Sequence, residues 1–165
     1  MKHILLVRHA KSSWDDPSLS DFDRPLNERG KKDAPSMAKK LKNRKIKVDA
    51  FVTSPAKRAK QTSKHFANEF DFKKKNIVPE PKLYEAGEEN FYEVIENLKN
   101  KWDSVVIVSH NPGITSFANS LTEIKIDDMP TSSIFAIKID TEKWANFRTA
   151  KKTFWFFDYP KIEAN

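Results

Sequence analysis

The sequence predicts an α/β fold: a three-layer sandwich of helices around a mostly parallel sheet. Two observations carry this. From Ile4 to Leu121, short apolar runs alternate with stretches of helical period, the pattern of the strand–helix–strand units that build parallel sheets. Two of the apolar runs break off at a histidine, His9 and His110, and the carboxyl ends of strands are where ligands bind in such sheets. The 165 residues are the size of one ordinary domain with one core, taken as 1–165.

Ile4 to Val7 reads as a buried first strand that ends in Arg8 and His9. A polar loop from Lys11 to Pro25 follows, and loops this long in compact domains tend to be functional. Asn27 is positioned to cap a helix from Glu28 to about Lys42, with Ala34, Met37, Ala38 and Leu41 on one face. Pro35 within it predicts a later start or a bend. Val48 to Thr53 is the second strand. Ser54 can cap the next helix, and Pro55 suits its first position, where a missing N–H costs nothing. Arg58 then falls one turn in, near the sheet edge that carries Arg8 and His9.

Phe70 to Asn76 is a charged connector, and Ile77 to Pro79 a short strand. Pro81 to Gly87 is a second candidate active-site loop. Asn90 to Asn100 is helical, with Phe91, Val94, Ile95 and Leu98 on one stripe. Asp103 to Ser109 is the clearest buried strand; it leads through His110-Asn111-Pro112-Gly113 into a helix, Ile114 to Leu121. Ser132 to Asp140 and Asn146 to Asp158 close the chain as two strands, antiparallel neighbours at the sheet's edge.

Composition narrows the chemistry. There is no cysteine, so disulfides and thiolate nucleophiles are excluded. The apolar run at the N-terminus is too short for a signal segment and is cut by Arg8, and no later run approaches membrane-spanning length, so a cytoplasmic protein without membrane contact is expected. The formal charge of +7 suits an anionic substrate or an acidic partner. No basic patch with interleaved aromatics suggests nucleic acid. There is no Gly-rich phosphate loop, and the four histidines lack metal-ligand spacing, so neither a cofactor nor a metal is expected.

A parallel sheet gathers Arg8, His9, Arg58 and His110 at one edge. Two guanidiniums beside two imidazoles repel one another and depress the histidine pKa values unless an anion is there. A phosphoryl group resolves the conflict, because its oxygens accept several charge-assisted hydrogen bonds. A neutral imidazole is also a competent nucleophile towards phosphorus, and the remaining cations would stabilise the equatorial oxygens in the transition state.

Leu6-Val7-Arg8-His9, the stretch Thr53 to Thr62 around Arg58, and Val108-Ser109-His110-Asn111-Pro112-Gly113 together resemble the three motifs of the histidine phosphatase superfamily, the phosphoglycerate mutase-like fold. The short length, Asp23-Arg24-Pro25-Leu26 and Arg29-Gly30 are most similar to the SixA-type phosphohistidine phosphatase branch. The resemblance implies that His9 is the phosphorylated nucleophile, that Arg8 and Arg58 clamp the phosphoryl group, and that His110 polarises it. It implies a further phosphate contact from Arg24 and places Glu85 where mutase-type members carry their acid. Ala10 stands where many members have Gly. Asp15 stands where mutase-type members carry an Asn, and a carboxylate there counts against mutase activity.

The function so implied is a metal-independent phosphatase acting through phosphohistidine, on a phosphorylated protein or a small phosphorylated substrate. The alternatives are a phosphatase or mutase for small phosphoesters, and a non-catalytic phosphate-binding module. Trp14 reads as the edge of a core or as a lining of the site entrance, His65 as structural, and Phe154 to Phe157 as core on an edge strand.

Overall fold

The computed structural model describes residues 1–161. β1 (Lys2–Arg8), β2 (Ala50–Thr53), β3 (Val78–Pro79) and β4 (Ser104–Ser109) are parallel; β5 (Ile134–Ile139) is antiparallel to β1, and β6 (Lys152–Asp158) antiparallel to β5. The sheet order is β3-β2-β4-β1-β5-β6. The helices are α1 (Glu28–Asn43), α2 (Lys57–Glu69), α3 (Glu88–Glu96) and α4 (Gly113–Leu121). Among the described residues, no helix is long and apolar enough to cross a membrane.

β1 is buried on both faces, as a central parallel strand must be. Its side chains alternate between two cores. Leu5 and Val7 pack with Met37, Leu41, Phe51 and Phe66, beneath α1 and α2. Ile4 and Leu6 pack with Phe91, Ile95, Ile114 and Phe117, beneath α3 and α4. The three layers follow from that alternation. Fully burying each such side chain contributes about 1.5–3 kcal/mol.

Lys2 is the exception in this strand. It is 1% exposed, and its Nζ donates to the carbonyls of Asn100 and Trp102 and to Asp103 at 2.8–3.0 Å. Three acceptors satisfy three ammonium protons, which is what lets a buried lysine stay charged.

Four expectations are corrected. α1 runs through Pro35 from Glu28 without a later start; Asn27 caps it as expected, accepting from Gly30 N–H at 2.9 Å. α2 begins at Lys57 with Ala56 as its cap residue, so Pro55 is not its first residue. Ser54 accepts instead from Ala56 N–H at 3.2 Å, which leaves its hydroxyl free for the site. The last strand starts at Lys152, because Trp144–Asn146 forms a single 3-10 turn that buries Trp144 in the core. α3 is displaced towards the N-terminus, ending at Glu96.

Register decides what shares the working edge. Arg8 is level with Ser109, and Val7 and Thr53 are both level with Val108. The chain therefore leaves β1, β2 and β4 at one height, at His9, Ser54 and His110. β5 begins at the same edge, with Ile134 opposite Val7.

Candidate active site

His9 is held at the exit of β1. Its N–H donates to the Ser109 carbonyl, and its own carbonyl accepts from Ser132 N–H. The imidazole Nδ1 lies 2.7 Å from the Ala10 carbonyl. A carbonyl only accepts, so Nδ1 carries the proton and Nε2 keeps its lone pair. That lone pair accepts from Arg58 Nε–H at 3.3 Å. Burial pushes the His9 pKa down to about 3; the Ala10 carbonyl opposes this, and the charges of His110, Arg58 and Arg8 add to it. His9 is thus neutral, in a defined tautomer, with Nε2 facing the arginine.

Thr62 ties this geometry to α2. Its hydroxyl donates to the Arg58 carbonyl at 2.8 Å and accepts from Ala10 N–H at 2.9 Å. The peptide that orients His9 and the turn that carries Arg58 are therefore one unit. Ala10 is fully buried and has no left-handed backbone, so the position does not require Gly.

His110 follows β4. Ser109 Oγ donates to the Leu83 carbonyl at 2.7 Å, joining this strand end to the 81–87 loop. His110 Nε2 lies 2.7 Å from Ser54 Oγ. Ser54 Oγ already accepts from Ala56 N–H, so donating its own proton to Nε2 satisfies both groups. The remaining proton of His110 is then on Nδ1, which is buried without a partner in the protein. Burial pushes the His110 pKa down to about 4; Arg58 and Arg8 add to this, while Asp21 opposes it. The two imidazoles lie 5.0 Å apart between centroids.

Arg8 donates through Nη1 to the Met129 carbonyl at 2.7 Å and lies 3.8 Å from Asp128. Its Nε is also buried without a partner. Two buried N–H donors without a protein partner, on Arg8 and His110 next to His9 in sequence and in space, are a costly arrangement that an oxyanion would relieve. A cleft of about 200 Å³ lies here, lined by Arg8, His9, Lys11, Trp14, Arg24 and Arg58 among others.

Arg24 and Arg58 share a carboxylate. Asp21 Oδ1 accepts from Arg24 Nη1 at 2.9 Å; Oδ2 accepts from Arg58 Nη2 at 3.0 Å and from the Tyr84 hydroxyl at 2.8 Å. The Asp21 carbonyl accepts from Arg58 Nη1 at 2.6 Å. Arg24 also bonds the Ser13 carbonyl and Ser12 Oγ. Partial burial works against ionisation of Asp21, but the hydrogen bonds from Tyr84, Arg58 and Arg24 together outweigh it and hold the carboxyl at about 2.

The structure thus brings together Arg8, His9, Arg24, Arg58 and His110. It does not bring in Glu85, which is exposed, has a φ of 56°, and makes no hydrogen bond or ion pair among the described residues. Its neighbour Tyr84 reaches the site instead, because the left-handed residue turns the loop between them. Trp14 is no core edge: it is 76% exposed and stacks on the Arg24 guanidinium at 3.3 Å. Asp15 is exposed. His65 lines a separate groove with Leu26, Lys31, Gln61 and Lys64. Sequence reasoning missed Asp21, Ser54, Thr62, Tyr84 and Asp128 as site residues. Asp21 had a signal, its spacing of three from Arg24 in one loop; the others are united with the site only by the fold.

The family described as histidine phosphatase superfamily (branch 1) matches residues 4–91. An uncharacterized chloroplastic protein of Arabidopsis thaliana is 31% identical over 133 residues, 76% of this chain. The chain spans 61% of that relative's length. An uncharacterized protein of Mycobacterium tuberculosis is 29% identical over 144 residues, 87% of each chain. Among solved structures, a candidate phosphohistidine phosphatase SixA of Agrobacterium tumefaciens superposes with a TM-score of 0.81 at 25% identity, covering 96% of this chain and 98% of its own. The protein histidine phosphatase SixA complexed with tungstate superposes at 0.80 with 23% identity, covering 94% of this chain and 95% of its own; at that identity the likeness is one of fold.

Proposed function

Because this chain belongs to the histidine phosphatase superfamily, we propose that it is a phosphatase that passes the phosphoryl group through His9, with phosphohistidine in proteins as its substrate. The observation that carries the reading is the state of His9: a neutral ring with Nδ1–H on the Ala10 carbonyl and an Nε2 lone pair that faces Arg58, in a cleft it shares with Arg8.

In the first step the His9 Nε2 lone pair forms a bond to phosphorus, and the bond to the leaving group breaks with its electron pair. Arg8 Nε–H, His110 Nδ1–H and the spare N–H groups of Arg58 meet the phosphoryl oxygens. Such donors act most strongly in a site screened from water. The phosphorylated ring keeps its Nδ1 proton on Ala10 and so carries a positive charge, which makes it a good leaving group in turn. In the second step water attacks phosphorus, the electron pair returns to Nε2, and the water's proton leaves to solvent or to neutral His110. The arginines supply the charge that a metal would, so the reaction is metal-independent. Arg24, stacked under Trp14, adds to the anion field at the cleft wall. Glu85 is not given the acid's role, because its side chain is exposed to solvent.

The cleft holds little more than a phosphoryl group and one ring. Exposed Trp14 lines it, and Leu19 and Phe22 are exposed in the same loop, a surface suited to a protein rather than a small metabolite. A single domain over residues 1–165 and a cytoplasmic location belong to the same proposal.

Trapping tests it. The protein is incubated with phosphoramidate, quenched in alkali and mapped by mass. An acid-labile, alkali-stable phosphoryl adduct on His9, absent from His9→Ala, is expected. Turnover of phosphoramidate without any adduct on His9 would refute the covalent route.

A further inference from the structure

We propose that Asp21 is a specificity-determining residue, which favours leaving groups that carry positive charge, phosphorus–nitrogen bonds, over those that develop negative charge, phosphorus–oxygen bonds. The proposal rests on the phosphatase reading above.

The geometry is that of the Arg58 guanidinium. Its Nε faces His9 Nε2, and its Nη1 and Nη2 both face Asp21. The planar group therefore spans from the nucleophile to the carboxylate. Attack at phosphorus is in line, with the leaving atom on the side away from the nucleophile. A phosphoryl group lying along Arg58 and attacked by His9 thus sends its leaving atom towards the Asp21 end.

Asp21 is fixed there as an anion. It is held by two guanidiniums and a phenol. Those three donors fill three of the roughly four lone-pair sites of a carboxylate, leaving one outward acceptor. Asp21 is half exposed and bonded to Arg24 and Arg58, two residues that line the cleft, so that acceptor is reachable from solvent beside them. Its charge is felt across the site, since it works to raise the pKa of His110.

A phosphorylated imidazole fits this charge. Protonated on its free nitrogen, its ring is cationic and carries an N–H donor, beside the anionic phosphoryl group. When the phosphorus–nitrogen bond breaks, the electron pair goes to the ring nitrogen and the other nitrogen keeps its proton. Asp21 attracts that ring before and during the step. In an ester, the departing oxygen gains negative charge as the bond breaks, and the same carboxylate repels it. The carboxylate also opposes binding of any phosphate dianion on Arg24 and Arg58. A cationic leaving group bound to the phosphoryl group offsets that opposition.

The test compares free phosphohistidine with 4-nitrophenyl phosphate on the wild type and on Asp21→Asn, with thermal unfolding of both proteins as the fold control. The expected result is a fall of at least about tenfold in the ratio of the two kcat/KM values, equivalent to about 1.4 kcal/mol. The ester rate rises in the variant, because the repelling charge is gone. An unchanged ratio, including an equal fall on both substrates, would mean that Asp21 merely holds the arginines, and would overturn the proposal. No turnover of either substrate by the wild type would overturn the phosphatase reading itself, and this inference with it. A measurement on the wild type needs no variant: with orthophosphate bound, imidazole at about pH 6 should bind more tightly than phenol. Equal binding would count against Asp21 in the same way.

Discussion

Mild acid should destabilise this protein through its own active site. His9 and His110 are each 7% exposed, and their pKa values are depressed to about 3 and about 4, first by burial. In the unfolded chain both return to about 6.5. A base whose folded pKa is depressed lends stability that is fully present above its unfolded pKa and is lost as the pH falls towards the folded value. At about pH 5.5 the unfolded chain is mostly protonated at both rings and the native site at neither. Each ring then costs about 1.4 kcal/mol and the pair about 3 kcal/mol, a large share of a typical margin of about 5–15 kcal/mol. The assay is urea unfolding at about pH 7.5 and pH 5.5, for the wild type, His9→Gln, His110→Gln and the double variant. Each single variant should recover about half of the pH-dependent loss. His3 and His65 are also depressed, but they are common to all four proteins and cancel. If the double variant loses as much stability as the wild type, the two rings are not held neutral by burial and the assignment of the His9 lone pair falls with them. The same values predict that kcat/KM shows no acid limb from His9 above about pH 5.

Other outcomes follow from named contacts. Arg58→Ala should fold and lose at least about a hundredfold in kcat/KM on phosphoramidate, as expected for removing a transition-state donor; steady-state kinetics at full activity would remove Arg58 from the chemistry. Turnover should survive EDTA, and a loss restored by a divalent ion would contradict the role given to the arginines. Lys2→Met strands the Asn100 carbonyl, while that of Trp102 keeps the Trp144 indole N–H, and should cost about 1–3 kcal/mol in urea unfolding. Gly113→Ala would drive a Cβ into the Ala86 carbonyl, where α4 meets the 81–87 loop. A loss of about 1–3 kcal/mol is expected, and unchanged stability would show that the loop yields freely.

The fold was legible because its central strands are buried on both faces and carry unbroken apolar runs, as in 4–7 and 105–108. The helix starting at Glu28 was legible because Asn27 caps it by a local bond. The boundaries that slipped are those set by contacts from afar. α2 starts late because Ser54 is taken up by His110 and the Ala56 N–H, and the last strand starts at Lys152 rather than Asn146 because a 3-10 turn there buries the Trp144 ring in the core.

The same division holds for the site. Arg8, His9, Arg58 and His110 could be read from the chain, since each follows a strand end and a parallel sheet must bring such ends to one edge. Register, which fixes their height, is a property of paired strands. Folding alone sets the state of those residues: the tautomer of His9, through the Ala10 carbonyl; the orphan proton of His110, through Ser54; and the carboxylate that Arg24 and Arg58 share. Asp21 to Tyr84 is 63 positions and His9 to Arg58 is 49. Hydrogen-bond donors choose their acceptors by distance in space. The sequence therefore determined which chemical groups reach the edge, and folding determined their protonation and partners.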